Sequence, residues 1–365
     1  MAKAVRRTVT RAGKRSAAQE EYKKFIGRKI FFMILLSFLI ILLLGVIVTL
    51  GPLDITILEV YSAIIHKFFS DYFLVDELTS LVIWNIRLPR VLWGIMTGIG
   101  LGISGCVMQA VLKNPLASPF TLGISSGAGF GVSLAIVLNL GVIGGAYIVI
   151  GNAFVFALLC SFFIIGLSAI KGATSETLIL AGIAINYFFI AMSQLFKYFA
   201  TDQQLREMAF WGMGDLGRFS WHQFSYVAVA FIICIPLLML KAWDLNVMTV
   251  GDETAKSLGV NAEHTRMFIM TVSSLLIATI VCFTGTIGFI GLVAPHMARM
   301  IIGADHRFLI PASGVLGAVV LVGADGVAMN IISPVIIPVG VVTSLVGVPF
   351  FIYLILRRKR REFWS

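Results

Sequence analysis

Charge is scarce in this sequence. Asp, Glu, Lys and Arg make up 13% of its 365 residues, against 59% hydrophobic ones. Soluble domains run at about 25% charged and about 45 to 50% apolar, so a single globular core could not bury this much apolar surface. A soluble enzyme with a catalytic cleft and a disordered scaffold are both excluded as first readings. Cysteine is nearly absent. Cys106, Cys160, Cys234 and Cys282 each stand alone in an apolar stretch, with no CxxC or metal-ligand spacing. They read as small core hydrophobes, which excludes a disulfide framework and a cysteine metal site. Of five histidines, only His296 falls near the middle of an apolar stretch, in GLVAPHMAR, where packing outweighs a ligand role. His66, His222, His264 and His306 lie near the ends of apolar stretches. A phosphate-cradling loop is missing too. The one Gly-Lys pair, Gly13-Lys14, lacks both the upstream glycine and the following hydroxyl of a P-loop.

What the chain does have is long apolar runs. About 20 residues are needed to cross the hydrocarbon layer of a bilayer. With charges and Gly/Pro/Asn clusters as boundaries, about ten such stretches appear. They cover residues 30–50, 91–112, 120–140, 144–170, 177–200, 221–240, 267–284, 287–302, 309–332 and 339–356. This predicts an all-α, polytopic membrane protein with a basic N-terminal tail (1–29), a transmembrane domain (30–356) and a basic C-terminal tail (357–365). The first run is too long for a signal-peptide core and has no small-residue cleavage site, so it counts as a span.

The net charge of +10 is explained by where the charges lie. Ten Lys or Arg fall between Lys3 and Lys29, and five between Arg357 and Arg361. Seven more, Lys113, Lys171, Lys241, Lys256, Arg266, Arg299 and Arg307, fall in alternate connections. Positive charge accumulates on the cytoplasmic side, so both tails are expected inside, and an even number of spans independently puts both ends on one side. No aromatic-interleaved basic face accompanies the charge, which argues against nucleic acid. The segment 51–86 has the opposite balance: Asp54, Glu59, Asp71, Asp76 and Glu77 against a single Lys67. It should face outward.

The 35 glycines suit close helix approach. Gly98, Gly100, Gly102 and Gly105 give the second span a small face, and Gly123, Gly127, Gly129 and Gly131 the third. Asp325 is the one acid deep in an apolar stretch, and structural hydrogen bonding is the favoured reading over ion coupling. Two features ask for more than packing. Arg87 and Arg90, in Arg87-Leu88-Pro89-Arg90, lie on the outer side against the positive-inside bias, where Arg suits bidentate pairing with an acidic partner. The inner connection 241–266 is far longer than a linker needs, and Asp252 and Glu253 open a short helix ending at Leu258-Gly259. A structured inner loop of this size suggests a surface for a cytoplasmic partner.

Five blocks carry a family resemblance: IRLPRVLWGI (86–95), SGCVMQAVLKNPLASPFTLGISSGAGFG (104–131), LNVMTVGDETAKSLGV (245–260), GFIGLVAPHMARMIIGADHRFLIPAS (288–313) and IPVGVVTSLVGVPFFIYLILR (337–357). In this order they resemble the FecCD-type permeases of ABC importers for iron-siderophores, haem and cobalamin. The resemblance implies a type II importer permease without its own nucleotide site. ATP and Mg would be used by two separate ATPase subunits, beside a second permease subunit and an extracytoplasmic binding protein. Arg87 and Arg90 would dock that binding protein. Asn114, Leu116, Thr174 and Ser175 match the inner gate. Val250, Gly251, Asp252, Glu253, Ala255, Leu258 and Gly259 would couple to the ATPase. The fifth and tenth spans would line the pathway between permease subunits. Where family members often carry a third outer arginine, this chain has Met329. The rival readings are an ion-coupled secondary transporter and a membrane receptor or scaffold. The structured loop 241–266 and the missing P-loop favour the permease over both.

Overall fold

Lipid offers no hydrogen-bond partners, so a chain this apolar must satisfy its backbone internally, and helices do so within one segment. In the computed structural model, residues 2–357 are described except 52, 54, 68, 70–74, 171, 333 and 334. Side chains are described from residue 23 onward, except those of 146, 354, 355 and 357. Asp54, Asp71, Lys171 and the C-terminal basic run therefore lie outside the described residues or side chains. Among the described residues every regular element is helical.

In chain order the α-helices are α1 (Ala2–Thr49), α2 (Ile57–His66), α3 (Glu77–Val82), α4 (Leu88–Val111), α5 (Ile124–Leu138), α6 (Ile148–Ile170), α7 (Ser175–Phe199) and α8 (Asp202–Gly212). There follow α9 (Trp221–Leu240), α10 (Ala242–Met248), α11 (Asp252–Ser257), α12 (Ala262–Thr284), α13 (Ile290–Ile302), α14 (His306–Asn330) and α15 (Val339–Arg357). Among the described residues, seven helical segments are long and apolar enough to cross a membrane: Lys23–Thr49, Glu77–Val111, α6, α7, α9, α12 and α14. The apolar helices α5, α13 and α15 take the places of the third, eighth and tenth stretches.

Two of these are shorter than the hydropathy suggests, for a backbone reason. Gly123 and Asn139 hold φ of 81° and 52° at the two ends of α5, and Phe289 and Gly303 hold 68° and 82° around α13. A left-handed residue stops a helix however apolar its neighbours are. The 284–288 interruption is thus a true break. Gly285 leaves α12 at φ 70°, and the turn closes against the α8–α9 connection, where the Asp215 amide donates to the Thr284 carbonyl at 2.8 Å.

The residues of the basic tail and of the first span share one helix, as α1 runs unbroken from Ala2 to Thr49. Ala, Arg, Lys, Gln and Glu are good helix formers, and nothing before Thr49 imposes a turn. The acidic segment 51–86 contains α2 and α3, and its acids partly serve as caps. Thr56 and Glu59 form a capping box, and Asp76 accepts from the Thr79 amide at 3.1 Å. A π-turn over Ile83–Arg87 then joins α3 to α4 in one continuous helix.

The central helix is α4. Within its span, 78% of the most apolar window is buried, against 17% for those of α1, α7 and α9. Its glycines do what their spacing suggests. Gly98 packs on Gly317 and Ala318, Gly102 on Ser313, and Gly105 on Gly291, with backbone against backbone. Near its other end Trp93 stacks on Phe219 at 4.0 Å between ring centroids. All four cysteines are free and buried.

Candidate coupling loop and gate

The 241–266 connection folds into α10 and α11. Gly251, at φ 129°, turns the chain out of α10 and sets Asp252 at the start of α11. Ala255 is fully buried and pins the helix to the bundle, while Val250 and Leu258 expose 69% and 66% of their surface. Glu253 and Gly259 are exposed beside them. The expected coupling residues therefore divide: Val250, Glu253, Leu258 and Gly259 face outward, and Asp252 and Ala255 face the body of the protein. Two large apolar side chains thus stand exposed around one buried alanine.

α10 is fixed from behind by residues that the hydropathy pattern left unremarked. The Asn246 side chain donates to Asp305 Oδ1 at 2.9 Å and accepts from the His306 amide at 2.9 Å. Asp305 also caps α14 and receives the Arg307 guanidinium, whose hydrogen bond holds its carboxyl well below the usual carboxylate range. An Asp directly before a long apolar run is a capping signal that could have been read from the sequence.

The expected gate residues lie in two loops that the fold brings together. Asn114 Oδ1 accepts from the Leu116 amide at 2.9 Å and holds Leu116 in its exposed position. Thr174 caps α7 by accepting from the Thr177 amide, and the Ser175 hydroxyl donates to the Val111 carbonyl at 3.3 Å. One arginine that sequence reasoning counted only as an inner-side charge joins them. Arg266, 2% exposed on α12, donates through Nε to the Val111 carbonyl at 3.1 Å and through Nη1 to the Ala173 carbonyl at 2.7 Å. Its Nη2 grips Asp252 at 2.9 Å, and Lys113 Nζ reaches the same carboxylate at 2.8 Å. Burial pushes the Asp252 carboxyl up, but these hydrogen bonds outweigh it and leave it below its ordinary value. A lone Arg at the start of an apolar run carries no sequence signal for such a role.

At the other end of α4 both arginines of the RLPR block have internal partners. Arg87 is 8% exposed and donates to the carbonyls of Val48, Thr49 and Leu53 at 2.7–2.9 Å. The last carbonyls of a helix lack intrahelical partners, and a cation there also suits the helix dipole. Arg90 makes a bidentate pair with Asp325 of α14, at 2.9 and 2.8 Å. Met329 packs beside an apolar cluster of Ile47, Val48, Val60, Ile83, Val91 and Val322. His296 is buried and meets the Phe351 ring edge to face, with 6.1 Å between ring centroids. Among the described residues no group of three or more His, Cys, Asp or Glu is placed to hold a metal ion.

A family model described as the FecCD transport family matches residues 35–357. The chain belongs to that family. It is 44% identical over 355 residues to a provisionally named ABC transporter permease protein of Methanocaldococcus jannaschii, covering 94% of this chain and 99% of the relative. It is 43% identical over 286 residues to a hemin transport system permease protein of Yersinia pestis, covering 77% and 85%. A solved structure provisionally described as a metal-chelate type ABC transporter in an inward-facing conformation superposes with a TM-score of 0.79 at 29% identity. That match covers 89% of this chain and 99% of the other. Members of the family are permeases, transport subunits that span the membrane several times, and this chain has their helical architecture.

Proposed function

We propose that this chain is the permease subunit of a binding-protein-dependent importer that moves a metal chelate inward. It pairs with a second permease subunit, and two separate ATP-binding-cassette subunits supply the ATP and Mg chemistry. The observation that carries this reading is the α11 surface, where Val250 and Leu258 project around the buried Ala255. Apolar groups left exposed on a firmly held helix gain by being covered, and a groove on an ATPase would cover them. Replacing Leu258 with Lys is expected to put a charge into that contact and uncouple ATP hydrolysis from transport while insertion in the membrane persists. Unchanged transport by that variant, with the ATPase bound as in the parent, would remove α11 from the mechanism.

Ferric siderophore is the leading substrate class, with haem and corrinoid as the competing arms; the hemin relative keeps haem in the test. Uptake of radiolabelled ferric chelate, haem and cobalamin by cells carrying the full system separates the three. The ion-coupled reading would need Asp325 available to a cation, and its carboxylate oxygens are instead occupied by Arg90.

The binding protein is assigned to the outer mouth that Arg87 and Arg90 flank. Direct pairing of either guanidinium with partner carboxylates requires it to exchange an internal contact, so the docking charge is coupled to the α1 terminus and to α14. Affinity of the reconstituted complex for its binding protein, at low and high salt, tests this. Reversing both arginines to Glu is expected to weaken docking, most at low salt, where the long-range attraction of an acidic partner to the outer mouth is least screened. Equal affinity of parent and double variant at both salts would confine these arginines to their internal contacts.

A further inference from the structure

We infer that Arg266, with Asp252 and Lys113, is the mechanical relay that ties the coupling helix to both gate loops. This rests on the proposed roles of α11 and of the two loops. One buried guanidinium holds three separate segments. It grips the end of α4 through Val111, two residues before Lys113-Asn114. It grips the loop before α7 through Ala173, next to Thr174 and Ser175, and it grips the first residue of α11 through Asp252. Lys113 closes the triangle by binding the same Asp252 carboxylate from the α4 side.

Two further observations give these contacts their mechanical weight. A cavity of about 550 Å³ lies beside them, with Gly172, Ala173 and Thr174 on one wall and Asp252, Glu253 and Lys256 on another. Side chains do not fill the space between α11 and the α7 loop, so displacement of α11 reaches that loop through the polar contacts. Lys113 also holds φ of 48°, one of three non-glycine residues with positive φ among the described residues. It is the left-handed cap that ends α4, with its amide bonded to the Ala110 carbonyl at 3.2 Å and the Asn114 amide to the Gln109 carbonyl at 3.1 Å. The Lys113–Asp252 bond fastens α11 to this cap, so displacement of α11 pulls on the residue from which the Asn114–Leu116 turn begins. A planar guanidinium can serve three acceptor directions at once, which a lysine ammonium on a flexible stem does less well.

The test uses the reconstituted complex in vesicles, reading substrate transported per ATP hydrolysed together with ATPase association. Arg266→Lys keeps the charge but not the fork, and should lower transport per ATP about tenfold, within the usual range of coupling between sites. Lys113→Met should lower it about fivefold, and Lys113→Arg should restore it to within about twofold of the parent. ATPase association should stay at the parent level in all three, since none of these side chains is on the exposed face of α11. Unchanged transport per ATP in Lys113→Met and Arg266→Lys would overturn the relay. Arg266 is buried, so if Arg266→Lys fails to insert, Lys113→Met alone decides. Leu258→Lys is the reference. If it uncouples while the relay variants do not, the α11 surface stands and the relay falls; if it too has no effect, the coupling reading itself is wrong.

Discussion

Arg87 and Arg90 are three residues apart and chemically identical, yet they do different work. Arg87 satisfies three carbonyls that the end of α1 and the following turn leave open, and Arg90 neutralises a buried acid. Breaking a buried pair from one side leaves an uncompensated charge, which costs about 3–5 kcal/mol, whereas replacing both partners by apolar groups is often close to neutral. Asp325→Leu should therefore lower the melting midpoint of the purified permease in detergent, and Arg90→Met combined with Asp325→Leu should recover most of that loss. Equal midpoints for the single and double variants would show that the pair does not hold α4 to α14. Asp252 gives a prediction of opposite kind. Its carboxyl is held below its ordinary value, so the contribution of its contacts is present above that value and is lost only as pH falls through the lowered one. Transport per ATP should be flat from about pH 8 to about pH 5 in the parent, since the carboxylate stays ionised throughout. A decline centred within that window would place a different titrating group in the coupling step.

Among the helices, glycine position decides how closely neighbours approach. A methyl group at Gly105 would overlap the Gly291 carbonyl oxygen, while one at Gly323 meets nothing within 4 Å. Overpacking a close contact costs about 1–3 kcal/mol, so Gly105→Ala should melt several degrees below the parent. Gly323→Ala should melt at or slightly above it, because alanine restricts the unfolded chain. Thermal melting of both variants side by side checks this, and equal midpoints would show that α4 and α13 do not meet backbone to backbone. The same scale explains the short helices. Gly123 and Phe289 have left-handed backbones that no hydropathy window detects, so α5 and α13 each start a few residues inside their apolar stretches.

Over the whole molecule, the distribution of charge predicts which end of the bundle faces the cytoplasm. α11 and the outer end of α4 lie at opposite ends of the bundle, and the basic residues cluster with α11. In a cysteine-free background, Glu77→Cys should be labelled by an impermeant maleimide from outside, and Lys256→Cys only after permeabilisation. Outside labelling of position 256 would invert every span and turn α11 away from any cytoplasmic ATPase.

Composition and the length of the apolar runs determined that this chain is a helical membrane protein, because burying so much apolar surface has few solutions and spanning helices are the one its run lengths match. The long 241–266 connection already showed its helix start at Asp252, and the RLPR, gate and coupling blocks were visible as short motifs. Tertiary structure alone decided what those motifs touch. Arg266 bonds to Val111, Ala173 and Asp252, residues 155, 93 and 14 positions away, and Arg90 bonds to an acid 235 positions away. A local pattern reports which residues share a helix face; it is silent on which distant carbonyls packing brings against a buried guanidinium, and that placement assigned Arg87, Arg90 and Arg266 their partners.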